Sequence, residues 1–158
     1  MTNSLEARIA RLEAVEEIRV LKALYADVCD TGYDPDRMAP FFTDDAVWDG
    51  GERFGRYEGI DEIRGFFAGV SGQITWALHY MIAPIIDVAD DLETATGSWY
   101  LWQPCTLVGE QGPQAVWLTG RYADRYRREE DGWKFSEVVL DAQTVSPFED
   151  GWVRRPFI

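Results

Sequence analysis

The chain changes its period once. Up to Gly72 its apolar residues recur mostly at helical spacing, and from Ile74 onward they come in long runs rich in Val, Ile, Thr, Tyr and Trp. Helices gathered first and strands after them argue against a doubly wound parallel sheet, in which the two alternate, and predict an α+β fold. Strand-like segments run from Ile74 to Ala83, Ile85 to Val88, Thr94 to Val108, Ala115 to Arg128 and Trp133 to Val145. Turns at Ala89-Asp90-Asp91 and from Glu129 to Gly132 separate the later ones. Ahead of them, a helix is predicted from Ser4 to about Cys29, stopped by Thr31-Gly32, and a shorter one from Asp34-Pro35 to about Phe42. IDEIRGFFAGV reads as a third helix, and DDAVWDGG and the stretch from Phe54 to Gly59 as turns carrying short strands. The stripe of the first helix moves, from Leu5, Ile9 and Leu12 to Ile18, Leu21, Tyr25 and Val28 on a nearly opposite face. A bend or a partner contact is therefore expected near Ala14. A strongly curved sheet wrapped around such helices leaves a cone-shaped cavity, lined by alternate strand residues, where a ligand would enter.

No repeat and no linker-like stretch divides the sequence, so residues 1–158 are read as one domain. Twenty-eight acidic against fifteen basic residues give a formal charge of −13, a field that repels phosphate backbones and anionic lipid, so nucleic acid and membrane are not expected partners. No signal-peptide pattern opens the chain and no stretch approaches the roughly 18 apolar residues of a membrane span, which predicts a cytoplasmic protein. Cys29 and Cys105 do not form a metal-type pair and are read as reduced thiols in a core or pocket wall. Aromatic residues make up 14% of the chain, more than packing alone needs, and part of them is expected to line the cavity. The phosphate-binding glycine loops, the nucleophile elbow and the zinc-protease motif are all absent, and a single histidine cannot build a multi-histidine site within one chain. No cofactor and no metal is expected.

That histidine, His79, lies in ITWALHYMIAP, where alternation puts Thr75, Ala77, His79 and Met81 on one face. These small neighbours leave room for a ligand, and an imidazole whose ordinary pKa is about 6.5 suits general-base work. A core histidine satisfied by one carbonyl or carboxylate fits the same pattern, and the strand alone does not choose between the two readings. Arg121 and Arg125 are read as solvent-facing partners of surplus acids, and Asp44-Asp45 as a turn device. Glu137 and Asp141 share strand parity with Trp133 and Phe135, which places them either buried or at a sheet edge. The apolar tail SPFEDGWVRRPFI is expected to fold back, over the cavity or onto a neighbouring subunit.

The stretch EEIRVLKALYADVCDTGYDPDRMAPFFTDDAVWDGG, then RYEGIDEIRGFF, HYMIAP and RYADRYRREEDGWKFSEV, resembles the SnoaL-like branch of the nuclear transport factor 2-like superfamily over nearly the whole chain. Within that branch it is most similar to the dehydratases and eliminating lyases: scytalone dehydratase, hexachlorocyclohexane dehydrochlorinase and bile-acid 7α-dehydratase. The resemblance implies a cone-shaped α+β barrel of helices on a curved, mixed and mostly antiparallel sheet. It also implies a cofactor-independent lyase acting on a small hydrophobic ring-containing, polyketide-like or steroid-like molecule. An isomerase or cyclase, or a non-catalytic ligand-binding protein, is the alternative. It pairs Asp30 with His79 as a dyad, in which the carboxylate fixes the tautomer and stabilises imidazolium. It makes Tyr25 a proton donor to the leaving oxygen, and Trp48, Trp99 and Tyr122 pocket-lining residues. Val138 stands where two of these lyases carry a functional arginine, which counts against chloride elimination. Asp30 lies roughly 140–200° from the Ile18/Leu21/Tyr25/Val28 stripe of an unbroken helix, so its reaching the cavity calls for the last turn to open. Relatives of this branch form trimers or dimers, and a homo-oligomer is expected here.

Overall fold

Ser4 starts the first helix by accepting a hydrogen bond from the Ala7 amide at 3.2 Å. A computed structural model describes residues 4–158, and in it this helix, α1, runs unbroken over Leu5–Asp30. The shift of stripe near Ala14 is not a bend. Ala14, Ile18, Leu21, Tyr25 and Val28 are buried, whereas Leu5, Ile9 and Leu12 remain exposed on a helix end that projects past the sheet. The last turn stays closed because a Schellman motif stops it: Gly32 N–H donates to Cys29 O at 3.4 Å and Tyr33 N–H to Val28 O at 2.9 Å. Gly32 sits at φ +110°, a conformation that side chains disfavour.

Next come α2 (Pro35–Met38), a 3-10 turn over Ala39–Phe41, and β1 (Phe42–Asp49). The second helix is shorter than expected because Phe42 has already turned its ring into the core as the first residue of β1. Single-turn α3 (Gly51–Phe54), β2 (Arg56–Glu58) and α4 (Ile60–Val70) lead into β3 (Ile74–Ala77) and β4 (Tyr80–Val88). The long strands β5 (Thr94–Gly109), β6 (Gly112–Glu129) and β7 (Gly132–Pro147) follow, and a last turn, α5 (Gly151–Arg154), closes the order. The sheet runs β2-β1-β7-β6-β5-β3, with β4 continuing along β5 beyond β3. Only β1 and β7 pair in parallel; the other ladders are antiparallel. The architecture is thus α+β, with a curved open mixed sheet cupping α1 and α4 as in the nuclear transport factor 2-like cone.

Two register shifts correct the expected facing of β7. Tyr126 pairs with Phe135 but Arg125 with Glu137, so one extra residue of β7 enters there and the parity reverses. Val138 and Leu140 take over the inner face, and Glu137 turns outward to Arg125 at 3.0 Å, while Asp141 is exposed. The second shift lies at Thr119/Gly120, where a Cβ on Gly120 would come within 2.6 Å of the Asp141 carbonyl. The C-terminal tail does fold back: Val145 N–H bonds Pro156 O and Ile158 N–H bonds Val145 O, at 2.9 and 3.0 Å, which brings Ile158 to the cavity rim. No helix among the described residues is long and apolar enough to cross a membrane.

Candidate active site

Between the inner face of the sheet and helices α1 and α4 lies a cavity of about 920 Å³. One wall is aromatic. Trp48, Phe66 and Phe67 pack against one another with ring centroids 4.3 to 6.3 Å apart. The same lining carries polar groups, among them His79, Gln103 and the phenols of Tyr25, Tyr33 and Tyr122.

His79 does not lie inside a continuous strand. The expected strand from Ile74 to Ala83 is interrupted at Leu78 and His79, which fall between β3 and β4. The side expected for it is nonetheless the one it takes, since Ala77 is buried beside it while Trp76, Leu78 and Tyr80 are exposed. Pro104, opposite Leu78 on β5, accepts from the Leu78 amide at 3.1 Å but has no N–H to return, and in this register the His79 amide points away from β5. That amide donates to Asp30 Oδ1 at 2.9 Å, and His79 Nδ1 lies 2.6 Å from the same oxygen. The His79 side chain is 5% exposed and that of Asp30 24%. With Nδ1–H donating to the carboxylate, Nε2 keeps its lone pair for an incoming proton. Asp30 sits in the last turn of α1, at the negative end of the helix dipole, where a carboxylate gains nothing from its own helix. Its stabilisation comes from the two His79 N–H groups.

Asp30 makes this contact with its helix closed, and from the far side. It faces a separate cleft of about 700 Å³ between α1 and β4, which Trp99 and His79 also border. The imidazole is therefore the partition between that cleft and the main cavity. Tyr25 and Trp48 meet in the main cavity, where Trp48 Nε1 donates to the Tyr25 phenol oxygen at 3.0 Å and leaves the phenol's own proton to be given elsewhere. Burial, with neighbouring Tyr122 and Cys29, holds the Tyr25 phenol well above its ordinary pKa, so it is a neutral donor. Burial raises Tyr122 and Tyr33 as well. Tyr122 lines the main cavity beside Tyr25, with ring centroids 6.2 Å apart. Trp99 lines only the outer cleft, and Val138 is fully buried between Trp48 of β1 and Asp124 of β6, outside both linings. Arg121 and Arg125 are on the outer face.

Three features escaped the reading of the sequence. Gln103, 3% exposed, faces the cavity between inward-pointing Leu101 and Cys105. Tyr33, at φ +59°, stands edge-on to His79 with centroids 5.9 Å apart, and its buried hydroxyl has no hydrogen-bond partner among the described residues. Lys22 and Asp124 form an ion pair at 2.8 Å with both side chains fully buried. The signals were present: Lys22 falls on the Ile18/Tyr25 stripe, and Asp124 alternates inward with Tyr122 and Tyr126. Burial lowers Lys22 and raises Asp124, and their mutual attraction opposes both shifts. Among the described residues no three His, Cys, Asp or Glu side chains converge as metal ligands.

The curved, mixed α+β sheet cupping its helices is that of a protein of the nuclear transport factor 2-like class. More narrowly, the chain belongs to the SnoaL-like domain family, whose profile matches residues 10–139. Among solved structures it is similar to a candidate aromatic ring hydroxylase from Novosphingobium aromaticivorans, 31% identical over 88% of this chain and 96% of that one, with a TM-score of 0.73. A type 3 hexachlorocyclohexane dehydrochlorinase from Novosphingobium barchaimii, 22% identical over 92% and 94%, superposes with a TM-score of 0.75. A candidate scytalone dehydratase from Novosphingobium aromaticivorans, 17% identical over 92% of each chain, gives 0.72. The latter two share the fold. No curated protein matches the sequence.

Proposed function

We propose that this protein is a cofactor-independent lyase that eliminates water from a hydrophobic, ring-containing alcohol of polyketide-like or steroid-like character. The supporting observation is the 2.6 Å contact between His79 Nδ1 and Asp30 Oδ1 at the edge of an aromatic cavity. His79 Nε2 removes a C–H proton, Asp30 stabilises the imidazolium, and Tyr25 gives its proton to the departing hydroxyl. Trp48 and Tyr122 orient the ring; Trp99 and Val138 act one layer out, Trp99 behind the dyad and Val138 behind Trp48. The 31%-identical relative is named for aromatic rings, which agrees with a flat ring-bearing ligand. An isomerase or cyclase would use the same base, with the carbon skeleton rather than a hydroxyl accepting the returned proton.

The test is turnover of a panel of cyclic β-hydroxy ketones, followed by the ultraviolet absorbance of the enone formed. Loss of water by the wild-type protein and its abolition in His79→Ala support the reading. Product formation that persists in a folded His79→Ala protein refutes it. Binding without any product favours a ligand-carrying role. A homo-oligomer is proposed alongside, formed through the outer face where Trp76, Tyr80, Ile82 and Tyr100 are each about half exposed. Sedimentation showing a monomer at micromolar concentration would count against it.

A further inference from the structure

Gln103 is where the geometry points beyond the dyad. On either side of the break in the strand the pairing with β5 keeps one register, Ala77 with Cys105 and Tyr80 with Trp102. Counting inward from both pairs sets His79 directly opposite Gln103, cross-strand neighbours whose Cβ atoms in such pairs lie about 5 Å apart. Both side chains line the same cavity. Five polar or charged residues are buried among the described residues: Lys22, Thr43, Gln103, Asp124 and Ser146. Of these only Gln103 faces the cavity. Lys22 and Asp124 neutralise each other, and Ser146 bonds a backbone carbonyl. A carboxamide has two N–H donors, and Gln103 holds its own at the cavity wall, shielded from bulk water. Keeping such donors beside a base is costly unless something accepts from them.

We propose that Gln103 donates a hydrogen bond to a substrate oxygen, and that this oxygen is the carbonyl next to the carbon His79 deprotonates. The substrate class becomes a cyclic β-hydroxy ketone, a conclusion that rests on the elimination reading above. The C–H bond breaks with its proton going to His79 Nε2, and its electron pair moves through the new C–C double bond onto the carbonyl oxygen, where Gln103 holds the enolate. As the enolate collapses, the β-carbon–oxygen bond breaks, and the hydroxyl leaves as water with the Tyr25 proton. The proton on His79 then returns to Tyr25. The products are the enone and water. A donor that meets the charge as it forms lowers the barrier without reorganising.

The experiment uses two non-reacting probes of equal shape, α-tetralone and tetralin, with the wild-type protein and Gln103→Leu. Wild type is expected to shift the bound ketone's C=O stretch to lower wavenumber than in hexane. Gln103→Leu is expected to lose that shift and to bind tetralone about tenfold more weakly, the worth of one neutral hydrogen bond, with tetralin affinity unchanged. A shift that survives in Gln103→Leu, or no shift and no preference for tetralone in wild type, overturns the proposal. The wild-type spectrum needs no variant, so a misfolded Gln103→Leu leaves the donor testable, with Gln103→Met as the shape-matched replacement. The two readings fail separately. Elimination failing on every β-hydroxy ketone while the Gln103-dependent shift persists removes the lyase and leaves the carbonyl site. Turnover that is lost in His79→Ala yet intact in Gln103→Leu does the reverse.

Discussion

Besides the exposed pair Arg11–Asp90, two pairs tie α1 to the sheet region, and each sets a basic side chain against a carboxylate at a distance under 3 Å. Lys22–Asp124 is sealed. Both side chains are fully buried, the ammonium lies 3.6 Å from the centre of the Tyr122 ring, and Tyr126 donates its hydroxyl to Asp124 at 2.8 Å. His79–Asp30 is open, because the imidazole borders a cavity on one side and a cleft on the other. The sealed pair has nowhere to send a proton and no route for a ligand, so its task is to fix how α1 lies on β6. The open pair has a free nitrogen, a route for substrate and a carboxylate in contact with solvent. Access, more than charge or distance, is what distinguishes the two pairs.

The largest expected effect falls on the open pair. His79→Ala removes the base, worth roughly 10²- to 10⁴-fold in turnover, with little change in melting temperature. Asp30→Asn keeps the imidazole but loses the stabiliser of its cation, so its rate should fall between wild type and His79→Ala. If both variants lose stability while activity simply tracks the folded fraction, the open pair is structural too and the contrast collapses.

The sealed pair should behave in the opposite way. Lys22→Met strands Asp124 in the core and should cost about 3–5 kcal/mol in denaturant unfolding, with turnover per folded molecule unchanged. Adding Asp124→Leu should recover much of that loss, since the stranded charge goes with its partner. A double variant no more stable than Lys22→Met would show that the pair contributes more than mutual neutralisation.

A smaller effect belongs to the shared core. Burial pushes the Cys105 thiol up to about 11. An unfolded thiol ionises near pH 8.5, so between there and about pH 11 the unfolded chain releases a proton that the folded chain keeps. Stability should therefore fall as pH rises through that window, on the order of 3 kcal/mol for this group, and the fall should be shallower in Cys105→Ala. Least of all should follow from surface pairs. Asp45, held at about 2 chiefly by hydrogen bonds from Arg127, is mostly exposed, and Arg127→Ala should cost under about 1 kcal/mol in thermal melts.

Much of the site was legible because its cues are local. His79 is the one histidine, Gly32 marks the helix stop beside Asp30, and strand alternation gave the correct side for His79. Where local cues failed, a contact between distant segments had intervened. The strand breaks at Leu78 and His79 because Pro104, opposite Leu78 on β5, accepts from the Leu78 amide but has no N–H to donate back. Glu137 and Asp141 face outward because β6 and β7 pair out of step, which no pattern within β7 can reveal.

Periodicity, turn chemistry and charge are legible without the fold, so the sequence by itself determined the helix-then-strand order, the α+β class and the strongly acidic net charge. It also supplied the residues of the dyad. Only the tertiary structure decided that Asp30 approaches His79 from the outer cleft, that Trp99 faces that cleft instead of the cavity, and that Lys22 is buried against Asp124. It alone set Gln103 opposite the base. The physical reason is that register and helix docking are fixed by the sum of contacts between segments far apart in the chain. A one-residue slip in that sum turns a side chain to the other face of the sheet.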